Sequence, residues 1–186
     1  MRDVGIINVI DIESTCWKGN PPPGEKSEII EVGLCTLETP RLETGIKRSV
    51  LCFPVDSVVS EFCTQLTTLT DDKIRMEGVP FEDACTWLRV FAKSKDRIWA
   101  SFGDYDRRMF EECCGRYGVP YPFGPRHLNV KTLVSLAFGW RHEFGMEEVL
   151  RRLDLPLVGT HHRGGDDAAN IAQILRVVLE NARGRI

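Results

Sequence analysis

The stretch VIDIESTCW, residues 9–17, decides how this chain is read. It closes an apolar run that begins at Val4 and is rich in β-branched residues. Such a run fits a central strand buried on both faces. Its last residues break the pattern. Asp11 and Glu13 stand two apart, and alternation along a strand sends both side chains to one side while Ile12 goes to the other. At the C-terminal end of a strand that side can open into a cleft. A D-x-E pair alone is common on solvated surfaces, so its meaning depends on the rest of the chain.

Working outward, Glu28–Leu37 (EIIEVGLCTL) and Gly45–Phe53 (GIKRSVLCF) read as two further strands whose links allow antiparallel pairing. Ser60–Met76 reads as two short helical pieces around Thr67–Thr70. Pro80 opens a helix, PFEDACTWLRVFAK, in which Phe81, Ala84, Leu88 and Phe91 share one face. Arg97–Phe102 is a fourth strand. Helices follow over Asp104–Tyr117, from Asn129 to about Phe138, over Met146–Leu153, and from Gly165 to about Asn181. Three early strands and then alternating helices and strands predict an α/β mixed sheet covered by helices. No internal repeat, low-complexity segment or second domain is evident, so residues 1–186 are expected to form one domain. The segment KGNPPPGEK, residues 18–26, has the glycine spacing of a stretched phosphate loop. Three prolines offer no backbone N–H to a phosphate, so a stiff surface loop is the better reading.

Composition limits the function classes. The 186 residues are 42% hydrophobic and 27% charged, enough for a sizeable core. The net charge of −3 gives no global attraction to a polyanion. Seven cysteines, at 16, 35, 52, 63, 85, 113 and 114, contain no C-x-x-C. Together with the lack of a signal peptide they suggest free thiols in the cytoplasm, with no structural zinc. No apolar run approaches membrane-spanning length, so no membrane partner is expected.

Two more segments give the acidic pair its meaning. In SFGDYDRRMFEECC, residues 101–114, Asp106 lies three, four and seven residues before Met109, Phe110 and Cys113, on the apolar face of a helix. Asp104 is placed to cap that helix. In HHRGGDDAANI, residues 161–171, His162 sits in a Gly-rich loop. Asp167, five residues on, falls on the buried side of the last helix, with Asp166 as a candidate cap. Asp11, Glu13, Asp106 and Asp167 thus aim at one place from three segments. Unpaired inward carboxylates are costly, and hard oxygen ligands select Mg²⁺ or Mn²⁺. Two such ions about 4 Å apart can clamp the attacking and leaving oxygens of a phosphoryl centre. A histidine near neutral pKa can then take a proton from water, and His162 is the candidate.

These motifs resemble the DEDDh 3′–5′ exonucleases, which have an RNase H-like fold. D-x-E is Asp11 and Glu13, the Asp opening a helix is Asp106, and H-x₄-D is His162 and Asp167. IESTCW, NPPPGEKSEIIEVG, FCTQLT and HHRGGDDAANI look like the branch of histone-mRNA and small-RNA 3′-trimming exoribonucleases. The bacterial KinA-pathway inhibitor belongs to the same branch. The resemblance covers nearly the whole chain and departs at Thr68, where this branch often has Gly. It implies an RNase H-like mixed sheet of about five strands, the first three antiparallel. It implies two Mg²⁺ or Mn²⁺ ions on Asp11, Glu13, Asp106 and Asp167, with His162 as general base. Phe62 and Tyr105 would pack on the terminal base, and the backbone at Ser14 and Thr15 would meet the 3′-hydroxyl. Ordinary packing is the competing account of both aromatics. Arg107, Arg108, Arg126, Lys131 and Arg163 are candidates for phosphate contacts, against the alternative of solvated surface charge.

The expected function is metal-dependent hydrolysis at the 3′ end of single-stranded nucleic acid, RNA favoured over DNA, releasing nucleoside 5′-monophosphates. The alternative is a non-catalytic regulatory module that keeps the fold to bind a protein. The intact set of four acids and a histidine favours the enzyme.

Overall fold

The structure, a computed structural model, describes residues 4–184. Among these residues are five strands and seven helices. β1 (Ile6–Ser14), β2 (Ile29–Glu38) and β3 (Glu43–Leu51) pair antiparallel in succession. β4 (Ile98–Ser101) and β5 (His127–Asn129) extend the sheet in parallel on the other side of β1, in the order β3-β2-β1-β4-β5. This is the RNase H-like mixed sheet that the motifs implied. The five strands match the number that the resemblance implied; β5 itself was not placed from the residues, because three are too few to carry a periodic signal. The sequence reading of this strand is Val4–Ile12; β1 begins at Ile6 and continues through Ser14.

Alternation along β1 divides the core in two. Ile10 and Ile12, with Val32 and Leu34 opposite them, pack under α3 (Phe81–Val90) and α4 (Tyr105–Tyr117), against Leu88 and Phe110. Ile7 and Val9, with Leu37 and Cys35 opposite, pack under α5 (Val130–Ala137), α6 (Met146–Arg152) and α7 (Gly164–Ala182), against Val134, Val149 and Ile171. Asp11 and Glu13 continue this second face, so they point toward α7. The short helices α1 (Glu61–Thr67) and α2 (Asp71–Glu77) cover a third cluster around Ile30, Cys63, Leu69 and Ile74. Thr68 ends α1 at φ 63°, in the left-handed region that glycine enters freely. A residue with a Cβ bears a cost of about 1–2 kcal/mol there. α3 ends at Val90, short of the expected Lys93, which itself has φ 50°. All seven cysteines are free. Among the described residues no helix is long and apolar enough to cross a membrane.

The placement of α7 depends on two glycines. On β2, Gly33 lies opposite Asp11. A Cβ on Gly33 would stand 1.9 Å from the Gly164 carbonyl carbon and 2.4 Å from the Gly165 nitrogen. Backbone therefore meets backbone, and the first turn of α7 sits directly on the sheet beside Asp11. Gly33→Ala must push α7 away, and overpacking of this kind costs ~3 kcal/mol, a fall in Tm of roughly 6–12 °C for a chain of this size. Gly115→Ala, in α4 with open space around it, should instead stabilise by roughly 0.5–1 kcal/mol. Thermal melts of the two variants check this; an unchanged Tm for Gly33→Ala would contradict the close crossing.

Candidate active site

β1 and β4 are parallel neighbours, and their register runs only from Ile7–Ile98 to Val9–Ala100. Beyond it the strands part and leave a crevice at their C-terminal ends, the usual place for a ligand in an open α/β sheet. Asp106, in the first turn of α4, bridges that gap: its Oδ1 accepts the Ile12 N–H at 3.0 Å. From the other side the first turn of α7 brings Asp167. Carboxylate oxygens of Asp11, Glu13 and Asp167 lie within 4.8 Å of one another. Glu13, Asp106 and Asp167 are buried, while Asp11 is partly open to a cavity of about 310 Å³. That cavity is lined by Asp11, Glu13, Ser14, Tyr105, both histidines and Asp167, with Cys16, Leu66, Phe102 and Met146 as apolar wall. Three larger hollows, about 610, 590 and 410 Å³, contain no buried carboxylate, so volume alone does not select the site.

Sequence reasoning did not single out Glu31, the β2 residue opposite Glu13. It is almost fully buried, accepts two bonds from the Arg163 guanidinium at 3.1 and 3.2 Å, and accepts the Gly164 N–H at 3.0 Å. It thus satisfies the first N–H of α7 from a neighbouring strand. Only the strand register places it there. The helix caps differ from expectation for related reasons. Asp166 lies inside the helix, which starts one residue early at Gly164; its carboxylate pairs with Lys47 at 2.5 Å and accepts the Thr160 N–H at 2.8 Å, bracing the histidine loop. Asp104 makes no cap bond and pairs with Arg107 at 3.1 Å.

Both histidines reach the site. His162 donates its backbone N–H to Asp167 Oδ2 at 2.8 Å, at a φ of 62°. His161 Nδ1 lies 3.0 Å from the same oxygen, and the two rings stack at 3.9 Å. Burial, then the charge of His161, pulls the His162 pKa below its usual value, which keeps that imidazole neutral. His161 was not assigned a contact with Asp167 from sequence, because a six-residue separation across a loop carries no geometric signature.

Other expectations are only partly met. Phe62 is half-buried on α1 and does not line the cavity; Leu66, one turn on, does. Thr15 is fully buried and committed elsewhere. Its N–H donates to the Glu28 carbonyl, and its hydroxyl bonds Ser57 and accepts the Glu28 N–H. None of the five basic candidates lines the cavity. Arg163 is held by Glu31, Arg107 by Asp104, and Arg126 bonds the Asp96 carbonyl. Lys131 lies 4.0 Å from Glu143, and Arg108 lines a separate hollow.

The crowded acids resist ionisation. Burial first, and then Asp106, Glu13, Asp167 and Glu31, raise Asp11 well above the carboxylate range. Burial, then Asp167 and Glu31, raise Glu13 from 4.5 to about 8. Asp106 is raised to about 7 by burial, against its hydrogen bonds. Three mutually close oxygen donors that repel each other's charge suit a divalent cation. An acid whose folded pKa is raised destabilises the fold as pH climbs from its unfolded value to its folded one. The stability associated with Glu13 should therefore be full below pH 4.5 and lost by about pH 8 in metal-free protein. Thermal melts in chelator should show a Tm that falls over this range, less steeply in Glu13→Gln. Millimolar Mg²⁺ or Mn²⁺ should restore most at the alkaline end. A cation effect of equal size at every pH would contradict this.

The RNase_T family, described as exonuclease, matches residues 8–175. Rat "3'-5' exoribonuclease 1" is 30% identical over 185 residues, covering 94% of this chain and 53% of the relative. Human "ERI1 exoribonuclease 3" is 27% identical over 180 residues, covering 91% and 52%. The chain thus spans about half the length of these curated relatives. The solved nuclease domain of 3'hExo, a DEDDh family member bound to rAMP, matches with a TM-score of 0.81 and 25% identity, over 95% of this chain and 92% of that one. The family match takes in all three acidic segments, and the chain belongs to the RNase_T exonuclease family.

Proposed function

We propose that this chain acts as one 3′–5′ exonuclease domain. It removes nucleoside 5′-monophosphates from the 3′ end of single-stranded nucleic acid, RNA in preference to DNA. The observation that carries this reading is the meeting of Asp11, Glu13 and Asp167 with two histidines around one cavity, with Asp106 buried just behind it on the Ile12 N–H. The names of the rat and human relatives, both exoribonucleases, support it, as does the rAMP bound to 3'hExo. Seven free cysteines favour a reducing compartment such as the cytoplasm.

Two Mg²⁺ or Mn²⁺ ions are the proposed cofactors; bound, they would activate a water and stabilise the charge that develops on the phosphoryl oxygens. Asp11, Glu13 and Asp167 would hold them, with Asp106 contributing from the β1–β4 gap. His162, kept neutral by its surroundings, accepts the proton of the attacking water. The hydrogen bonds of its backbone and of His161 to Asp167 keep the base and the acid in fixed relation. Tyr105 and Leu66 line the part of the cavity that takes the terminal nucleoside, and any base offers such walls an apolar face.

An end-labelled RNA oligomer, incubated with Mg²⁺ or Mn²⁺, should shorten stepwise when its 3′ end is free and stay intact when that end is blocked. Asp11→Asn should slow the reaction by at least about a hundredfold. His162→Ala should cost about 10²–10⁴-fold, the typical worth of a general base. His161→Ala should cost less, because Asp167 retains the His162 N–H. Cleavage of a circular single strand, or full activity of Asp11→Asn, would refute the proposal.

A further inference from the structure

One polar feature of the cavity is not used by the chemistry above. The Ser14 hydroxyl and the Tyr105 hydroxyl lie 2.7 Å apart. Ser14 ends β1 just past a register shift at Glu13/Ser14, and Tyr105 is the first residue of α4. Both line the catalytic cavity, and neither side chain has another hydrogen-bond partner among the described residues. The two hydroxyls own two protons. Their mutual bond uses one, whichever of them donates. The pair is left with one free donor and several free lone pairs.

The rest of the cavity wall cannot do what this pair can. Cys16, Leu66, Phe102 and Met146 are essentially apolar. Asp11, Glu13 and Asp167 are the cation-binding set. His161 and His162 can also donate and accept, but they are tied to Asp167 and assigned to the proton transfer. The pair is therefore the wall's one hydroxyl site left over that can both donate and accept, and it suits a neutral hydroxyl. Position narrows the choice. Ser14 directly follows Glu13, so the pair stands one residue, about 3.3 Å along the strand, beyond an acid that would hold a cation at the phosphoryl centre. The part of a terminal nucleotide next to its phosphate is the sugar. Its 3′-hydroxyl is common to RNA and DNA, and its 2′-hydroxyl, donor and acceptor at once, is what distinguishes them.

We propose that the Ser14–Tyr105 hydroxyl pair is a specificity determinant that binds the 2′-hydroxyl of the 3′-terminal nucleotide and so favours RNA. This rests on the exonuclease reading. In it Tyr105 has two separable parts: a ring that walls the nucleoside and a hydroxyl that reads the sugar. A deoxy end leaves the pair's free donor without a partner inside the cavity, at a cost equivalent to about tenfold in rate.

The test compares kcat/KM on three oligomers of one sequence: all RNA, RNA with a single 2′-deoxy nucleotide at the 3′ end, and RNA with that nucleotide at the penultimate position. Wild-type protein should show a penalty of about tenfold or more for the terminal deoxy nucleotide only. Tyr105→Phe, which keeps the ring, and Ser14→Ala, on the other element, should each shrink that penalty below about threefold. A wild-type protein indifferent to the terminal 2′-hydroxyl overturns the assignment, and so do variants that retain the full penalty. Failure to shorten any of the oligomers overturns the exonuclease reading itself, whereas shortening with an unaltered penalty removes only the role given to the hydroxyl pair.

Discussion

The backbone of α7 rests on the backbone of β2 at Gly33 and Gly164, with no side chain between them. Almost everything at the site depends on that contact. It lowers the first turn of the 19-residue helix onto the sheet, so Asp167 reaches Asp11 and Glu13 from above. It brings the Gly164 N–H within reach of Glu31, and it sets the height of the loop that carries both histidines. A larger residue at either glycine would keep the strand and the helix but separate the groups they position.

The acids assembled this way oppose the fold that assembles them. Asp11, Glu13 and Asp106 all have raised pKa values, chiefly from burial. Without a cation each must either keep a proton or repel its neighbours. The two apolar clusters on either face of the sheet, built on Ile10 and Ile12 and on Ile7 and Val9, supply the stability that tolerates this. Function sites commonly carry such a cost. Here it has a specific use, because a site that resists its own negative charge binds positive charge strongly.

The face of β1 toward α7 carries the acids, and the end of the strand, past a register shift at Glu13/Ser14, carries Ser14 against Tyr105. In the proposed function a single strand would present the reacting phosphate to one set of groups and the sugar beside it to another. The basic residues first considered for phosphate contacts stay outside this arrangement, most of them in ion pairs or hydrogen bonds of their own. The low net charge fits the proposed engagement of one end of a strand rather than its length.

Much of this was legible in the sequence. The period-two pattern of VIDIESTCW put Asp11 and Glu13 on one side of a central strand. The helical spacing of Asp106 to Met109 and Phe110, and of Asp167 to Ile171, turned both acids inward. These are local properties of the chain, fixed by strand and helix geometry, and the structure agrees with them. What the sequence did not hold was contact across elements. Glu31 became part of the site only through its register opposite Glu13. His161 reached Asp167 through the curl of a loop, Leu66 reached the cavity where Phe62 did not, and Arg163 was taken by Glu31. Such partnerships depend on how strands align and how closely helices settle on them. Side-chain periodicity gives the direction of a residue and is silent about its distance from residues far along the chain, and that distance is what the tertiary structure decided.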